Sequence, residues 1–169
     1  DIRDTSALND LVKKIQPDYV FHMAAQALVR HSYENPIETI QTNAIGTANL
    51  LDAMRMLDKP VVAIMITSDK AYDNVEWSWG YRETDRLGGK DPYSASKGMA
   101  ELVIRSYVES FFSDSDSNVR IGITRAGNVI GGGDFAMNRI IPDFFRCLKN
   151  NKKLVLRYPH AIRPWQHVI

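Results

Sequence analysis

Tyr93 and Lys97, in the run Tyr93-Ser-Ala-Ser-Lys97, are the residues whose types and spacing could do chemistry most directly. Four positions apart and entering a helix, they share one face with their side chains about 6 Å apart. An ammonium beside a phenol favours the phenolate, so a group that ordinarily titrates at about pH 10 becomes a usable base. The pair is a proton-abstraction device. The same spacing also arises wherever a helix half-buries a tyrosine and lets a lysine snorkel to solvent, so the surroundings have to decide between the two readings.

The elements that must position this pair can be read in chain order. Asp4-Thr5-Ser6 supplies capping side chains before Leu8, Leu11, Val12 and Ile15 at helical spacing, closed by Gln16-Pro17. Tyr19 to Ala25 is a nearly continuous apolar run, the pattern of a strand buried on both faces of a parallel sheet. After a polar loop, Pro36 opens a helix whose stripe Ile37, Ile40, Ala44, Ala48, Leu51 and Met54 runs to about Leu57. Pro60 to Ile66 reads as a second buried strand, and Asp73 to Asp91 as a long irregular connection of the kind that is usually functional. A helix from Pro92 to Phe111, a strand from Val119 to Thr124, a glycine-rich loop from Gly127 to Gly133, a helix near Ile140 to Leu148 and a short strand at Leu154-Val-Leu156 complete the reading. Strands separated by helices require parallel pairing and crossovers, so the expected class is α/β, a Rossmann-like doubly wound parallel sheet.

In such sheets ligands lie beyond the carboxyl ends of the strands. The segments there are Ala24-Ala25-Gln26, Thr67-Ser68-Asp69-Lys70 and Arg125-Ala-Gly-Asn128. Ala24 and Ala25 permit a flat ligand to approach, or equally serve helix packing. Thr67 to Lys70 sets a hydroxyl, a carboxylate and an ammonium side by side; a capped turn with a surface ion pair is the plainer alternative, and anchoring to a buried strand favours a site. Asn43 is expected to satisfy a buried backbone group rather than to do chemistry.

Composition narrows the partners. The 169 residues are 44% hydrophobic and 24% charged with a net charge of +1, and no basic block suggests nucleic acid or an anionic membrane. The single cysteine, Cys147, is expected on a buried helix position; with no leader and no apolar span of ~20 residues, a cytoplasmic setting is expected, and no metal site. A start at Asp1 without Met and an end in the apolar run Val168-Ile169 read as an internal piece of a longer protein.

Taken together, Tyr93-Ser-Ala-Ser-Lys97, Thr67-Ser68, Asn43-Ala-Ile-Gly-Thr47, Asp1-Ile-Arg-Asp4, His22-Met-Ala-Ala25, Arg125-Ala-Gly-Asn-Val129 and Arg163-Pro-Trp-Gln-His-Val168 resemble the extended short-chain dehydrogenase/reductase family of nucleotide-sugar enzymes. Thr67 to Lys70, Trp77-Ser-Trp79 and Gly131-Gly-Gly-Asp134 are most similar to the branch that dehydrates CDP-glucose. The dTDP-glucose branch has Thr-Asp-Glu in place of Ser68-Asp69-Lys70, and epimerases lack the acidic residue. A dTDP-glucose or GDP-mannose dehydratase, an epimerase, or a non-catalytic module binding NAD or a sugar nucleotide are the rival readings.

The resemblance implies NAD as cofactor, contacted by Asp1, Ile2, Ala24, Ala25, Gln26, Tyr93 and Lys97. It makes Tyr93 the base toward the sugar 4-hydroxyl, Lys97 its helper, Ser68 a partner of the same oxygen and Asp69 the acid that protonates the departing 6-hydroxyl. Lys70 stands where the related enzymes place a base, and either acts as one or steadies the enolate. Asn128 and Arg163 match positions that hold the substrate diphosphate. By the same likeness, residues 1-126 are the later part of a dinucleotide-binding domain, 127-169 begin the substrate-binding region, and the whole protein is a homodimer or larger. The glycine-rich turn that binds a dinucleotide pyrophosphate has no counterpart in this sequence.

Overall fold

The computed structural model describes all 169 residues. Their contacts divide into two compact units, Asp1–Arg125 and Ala126–Ile169.

The first unit is a three-stranded parallel sheet with helices. Helix α1 (Thr5–Ile15) is capped by the Asp4 carboxylate, which accepts from the Ala7 N–H at 3.0 Å, and ends where Gln16 turns left-handed at φ 47°. Strand β1 (Tyr19–His22) is followed by α2 (Val29–Glu34) and α3 (Pro36–Ile40). The expected helix from Pro36 is continuous in direction but contains a π-helical turn, Gln41–Ile45, before α4 (Gly46–Met54). Strand β2 (Val61–Ile66) leads into a three-residue 3-10 turn, Asp69–Ala71. Helix α5 (Pro92–Tyr107) runs into a second π-helical turn, Val108–Phe112, and β3 (Val119–Thr124) ends the unit.

Strand order is β1-β2-β3, with Tyr19 opposite Val62 and Val61 opposite Val119. Register therefore sorts side chains by face. Val61, Ala63, Met65 and Val119 point into a core shared with Val12 of α1, Leu50, Leu51 and Met54 of α4, and Ile104 of α5. The opposite face is open: Tyr19 is 69% and Phe21 65% exposed. This corrects the expectation that β1 is buried on both faces and that β2 is a second such strand, since Val62 is 42% exposed, and β1 is also shorter than its apolar run. Its sequence has the composition of a two-sided strand, but the helices of this chain that enter the core all lie on one side.

The second unit pairs two short parallel strands, β4 (Asn128–Ile130) and β5 (Trp165–His167), with α6 (Ile140–Lys149) between them in sequence. No strand forms at Leu154-Val-Leu156, where Val155 is 82% exposed; the sheet partner is the later segment instead. The expected glycine-rich loop contains β4. Gly127 and Gly131 flank it because a Cβ there would lie 2.6 Å from Pro164 and 2.8 Å from Val168. Cys147 on α6 is half-buried rather than buried. No helix is long and apolar enough to cross a membrane.

Candidate active site

Helix α5 begins with a built cap. The Asp91 carboxylate accepts from the Ser94 N–H at 2.9 Å and from the Ser94 hydroxyl at 2.7 Å, and Pro92 follows at the first helical position. Tyr93, 8% exposed, comes next. Its N–H donates to Ser32 Oγ of α2 at 3.1 Å, and its carbonyl accepts from Ser96 Oγ at 2.7 Å. Ser96 in turn accepts from Asn43 Nδ2 at 2.9 Å. Asn43 sits in the first π-helical turn and also holds Gln26 by both backbone groups: Oδ1 accepts from its N–H at 2.8 Å and Nδ2 donates to its carbonyl at 3.0 Å. One buried amide thus joins the loop after β1 to the first turn of α5, the backbone role anticipated for Asn43.

Lys97, one turn beyond Tyr93, is 7% exposed. Burial pushes its ammonium below the ordinary lysine value, opposed by the Glu101 carboxylate one further turn along. At the end of β1, His22 accompanies it. Thr47 spends its one hydroxyl proton on the Asn43 carbonyl at 2.7 Å, so the 2.9 Å contact between His22 Nε2 and Thr47 Oγ1 assigns the imidazole proton to Nε2. Burial, with Lys97 adding to it, lowers the His22 pKa to about 4, and the ring stays neutral at physiological pH.

Ser68, 9% exposed, closes β2 and caps the turn that follows. Its Oγ donates to Asp69 Oδ1 at 3.1 Å and accepts from the Lys70 N–H at 3.2 Å. This turn packs against α5, so the structure brings Ser68, Asp69 and Lys70 to the helix of Tyr93 and Lys97. Two glycines let the backbones meet. A Cβ on Gly98 of α5 would lie 3.3 Å from the Gly88 carbonyl and 3.5 Å from that of Ala71, and one on Gly89 would fall 2.3 Å from the Ala95 nitrogen.

Sequence reasoning assigned no role to Glu101 or Arg125. Arg125 Nε and Nη2 grip the two Glu101 oxygens at 2.8 and 2.9 Å, and the Thr67 hydroxyl donates to the same carboxylate. Arg125 Nη1 continues to Tyr72 Oη at 2.9 Å and the Glu83 carbonyl at 3.1 Å. Tyr72 stacks on Tyr81 at 4.9 Å, and Trp77 lies 5.2 Å from Tyr81, which gives the irregular segment after the turn an aromatic spine. The signal available in sequence was an acid four positions after Lys97.

The other expected site residues are placed as follows. Ile2 packs where a Gly46 Cβ would stand, and its carbonyl accepts from Asn49 Nδ2 at 2.9 Å, while Asp1 is exposed and bonded to Arg3. Ala24 is exposed, Ala25 half-buried, and Gln26 Nε2 is engaged with Leu28 and Thr39. Asn128 and Arg163 belong to the second unit, where the Asn128 N–H donates to the Pro164 carbonyl at 3.0 Å and Arg163 is exposed. A nicotinamide dinucleotide fits what the first unit offers. Lys97 is a buried ammonium, its acidic neighbour Glu101 is already committed to Arg125, and the small side chains of Ala24 and Ala25 follow β1.

Comparison with known proteins fixes the family. The family profile described as GDP-mannose 4,6 dehydratase matches residues 1–169. The chain belongs to this family. It is 51% identical to the CDP-glucose 4,6-dehydratase of Salmonella typhimurium across all of this chain and 48% of that protein. The dTDP-D-glucose 4,6-dehydratase of Dictyostelium discoideum is 31% identical over 92% of this chain and 36% of its own. Among solved structures, DesIV, a dTDP-glucose 4,6-dehydratase from Streptomyces venezuelae determined with NAD bound, superposes with a TM-score of 0.85 at 27% identity, covering 99% of this chain and 49% of its own. The chain spans about half the length or less of these curated relatives. Membership places the parallel sheet among Rossmann-like extended short-chain dehydrogenases, as the motifs implied.

Proposed function

We propose that the whole protein catalyses NAD-dependent dehydration of CDP-glucose to CDP-4-keto-6-deoxyglucose, in the cytoplasm, for deoxysugar and O-antigen-type lipopolysaccharide assembly. The observation that carries this reading is the packing of the Ser68–Asp69–Lys70 turn against the helix of Tyr93 and Lys97, in a chain 51% identical to a CDP-glucose 4,6-dehydratase. Residues 1-126 act as the later part of the dinucleotide-binding domain and 127-169 as the start of the substrate region, and the assembly is a homodimer or larger.

NAD, when bound, supplies the acceptor and later the donor of hydride. Lys97, with Ala24, Ala25, Gln26, Asp1 and Ile2, is the set that would hold it. Tyr93 removes the proton of the sugar 4-hydroxyl, and Ser68 hydrogen-bonds the same oxygen. Lys97 keeps a positive charge near the phenol, which favours the phenolate. The 4-keto group acidifies the carbon-5 proton. Loss of water then needs an acid at the 6-hydroxyl and a base at carbon 5: Asp69 donates to the departing oxygen, and Lys70 takes the carbon-5 proton or stabilises the enolate that its loss creates. Asn128 and Arg163 bind the diphosphate, the guanidinium by its fork of donors.

The test is incubation of the whole protein with CDP-glucose, dTDP-glucose and GDP-mannose, scored for a 4-keto-6-deoxy product. CDP-glucose alone should be converted efficiently. Preference for another nucleotide would move the chain to a sister activity, and a product epimerised at carbon 4 without loss of water would overturn the dehydratase reading.

A further inference from the structure

Glu101 is 2% exposed and lies in the middle of α5, where a carboxylate carries a desolvation cost that three partners offset: two donors of Arg125 and the Thr67 hydroxyl. A buried ion pair is weak evidence for a contribution to stability, because well-packed apolar residues of the same volume often serve as well. What these partners connect is more informative. Thr67 immediately precedes Ser68. Arg125 reaches Tyr72, which immediately follows the turn Asp69–Ala71, and also the Glu83 carbonyl further along the same segment. The carboxylate therefore fastens both ends of the turn that carries Ser68, Asp69 and Lys70. It does so from the helix that carries Tyr93 and Lys97.

Resting on the function proposed above, we propose that Glu101 is a positioning residue for the reaction: through Thr67 and Arg125 it fixes the Ser68–Lys70 turn against α5, and it sets an acidic charge one helical turn from Lys97. The charged and titratable groups that act on Lys97 are His22 from β1 and Glu101 from its own helix, with Arg125 from the end of β3 bound to Glu101; Tyr93 lies one turn back on the same helix, and Asp69 and Lys70 lie on the turn packed against it. His22 is neutral, so Glu101 is the anion of this group, partly offset by Arg125. Removing it takes away the charge that holds the Lys97 pKa up, so that pKa falls further.

The experiment uses the whole protein and CDP-glucose. Glu101→Gln keeps the shape but removes the charge, and should lower kcat about a hundredfold, the scale of loss expected when reacting groups shift by ~1 Å. It should also move the kcat–pH profile toward lower pH. Glu101→Asp keeps the charge but withdraws it by one methylene, and should lower kcat while leaving the profile in place. If Glu101→Gln does not fold, Arg125→Lys takes its place, since an ammonium cannot reach both Glu101 oxygens and Tyr72; it should lower kcat without moving the profile. A merely structural role would lower Tm while the folded enzyme retained wild-type kcat and pH profile, and that result in the folded variants overturns the proposal. Tyr93→Phe is measured alongside. Its inactivity with a normal Glu101→Gln enzyme rejects the positioning role alone, whereas normal turnover by Tyr93→Phe rejects the assignment of the base and the inference resting on it.

Discussion

Tyr93 and Lys97 sit on a capped sixteen-residue helix whose first turn is tied down by buried hydrogen bonds from Ser32, Ser96 and, through Ser96, Asn43. Ser68, Asp69 and Lys70 instead occupy a strand end and a three-residue turn, held locally by the Ser68 hydroxyl and at its flanks by Thr67 and Tyr72. The difference teaches how such a site divides its work. The pair proposed for oxidation is built on a capped helix, while the residues proposed for elimination depend on side-chain ties that reach them from α5 and β3. The first half should therefore fail by loss of chemistry or of fold, and the second by loss of one step.

The largest expected effect is on the helical half. Tyr93→Phe removes the base but no backbone bond, so turnover should fall about a thousandfold with Tm unchanged, as steady-state kinetics and thermal unfolding would report. Retained activity would break the comparison at its first term. Next is Asn43→Ala, which strips both backbone partners from Gln26. Leaving buried amide groups unpaired should lower unfolding free energy by about 3 kcal/mol in urea titration of the whole protein. A loss within error would mean that the loop after β1 holds α5 by other means.

His22 gives the smallest and most selective effect. Its pKa is about 4 in the fold against the ordinary 6.5 of a free imidazole, so between those values the unfolded chain binds the additional proton. Stability contributed by the neutral ring is complete above pH 6.5 and falls as pH drops toward 4, with a slope approaching about 1.4 kcal/mol per pH unit. His22→Asn should flatten that part of the stability–pH curve. An unchanged slope would assign it to other groups.

Much of the fold was legible because its cues are local. Asp4 before α1, Pro36 and Pro92 at helix starts, and the apolar runs of β2 and β3 all form the elements expected of them. Helix α2 lies where the sequence reads as a polar loop, since Val29-Arg-His-Ser-Tyr-Glu34 has no apolar stripe; the buried Ser32, bonded to the Val29 carbonyl and to the Tyr93 N–H, supplies what periodicity lacks. The π-helical turn around Asn43 has no sequence signature beyond the polar residue that needs it. Leu154-Val-Leu156 has strand composition but no backbone partner, whereas Trp165–His167 pairs with β4. The Tyr93 and Lys97 pair was visible from spacing. The Glu101–Arg125 pair was not, because its partners are 24 positions apart and meet only once α5 packs against the sheet in which β3 is an edge strand.

The central claim is that Ser68–Lys70 and Tyr93–Lys97 perform separable steps of one dehydration. The most direct measurement mixes CDP-glucose with the whole protein carrying Asp69→Asn and follows reduced nicotinamide by absorbance together with the 4-keto-6-deoxy product. The account predicts that reduced nicotinamide accumulates while product formation falls by at least about a hundredfold, since the acid for elimination is missing and the oxidation pair is intact. Product formed at the wild-type rate would contradict it.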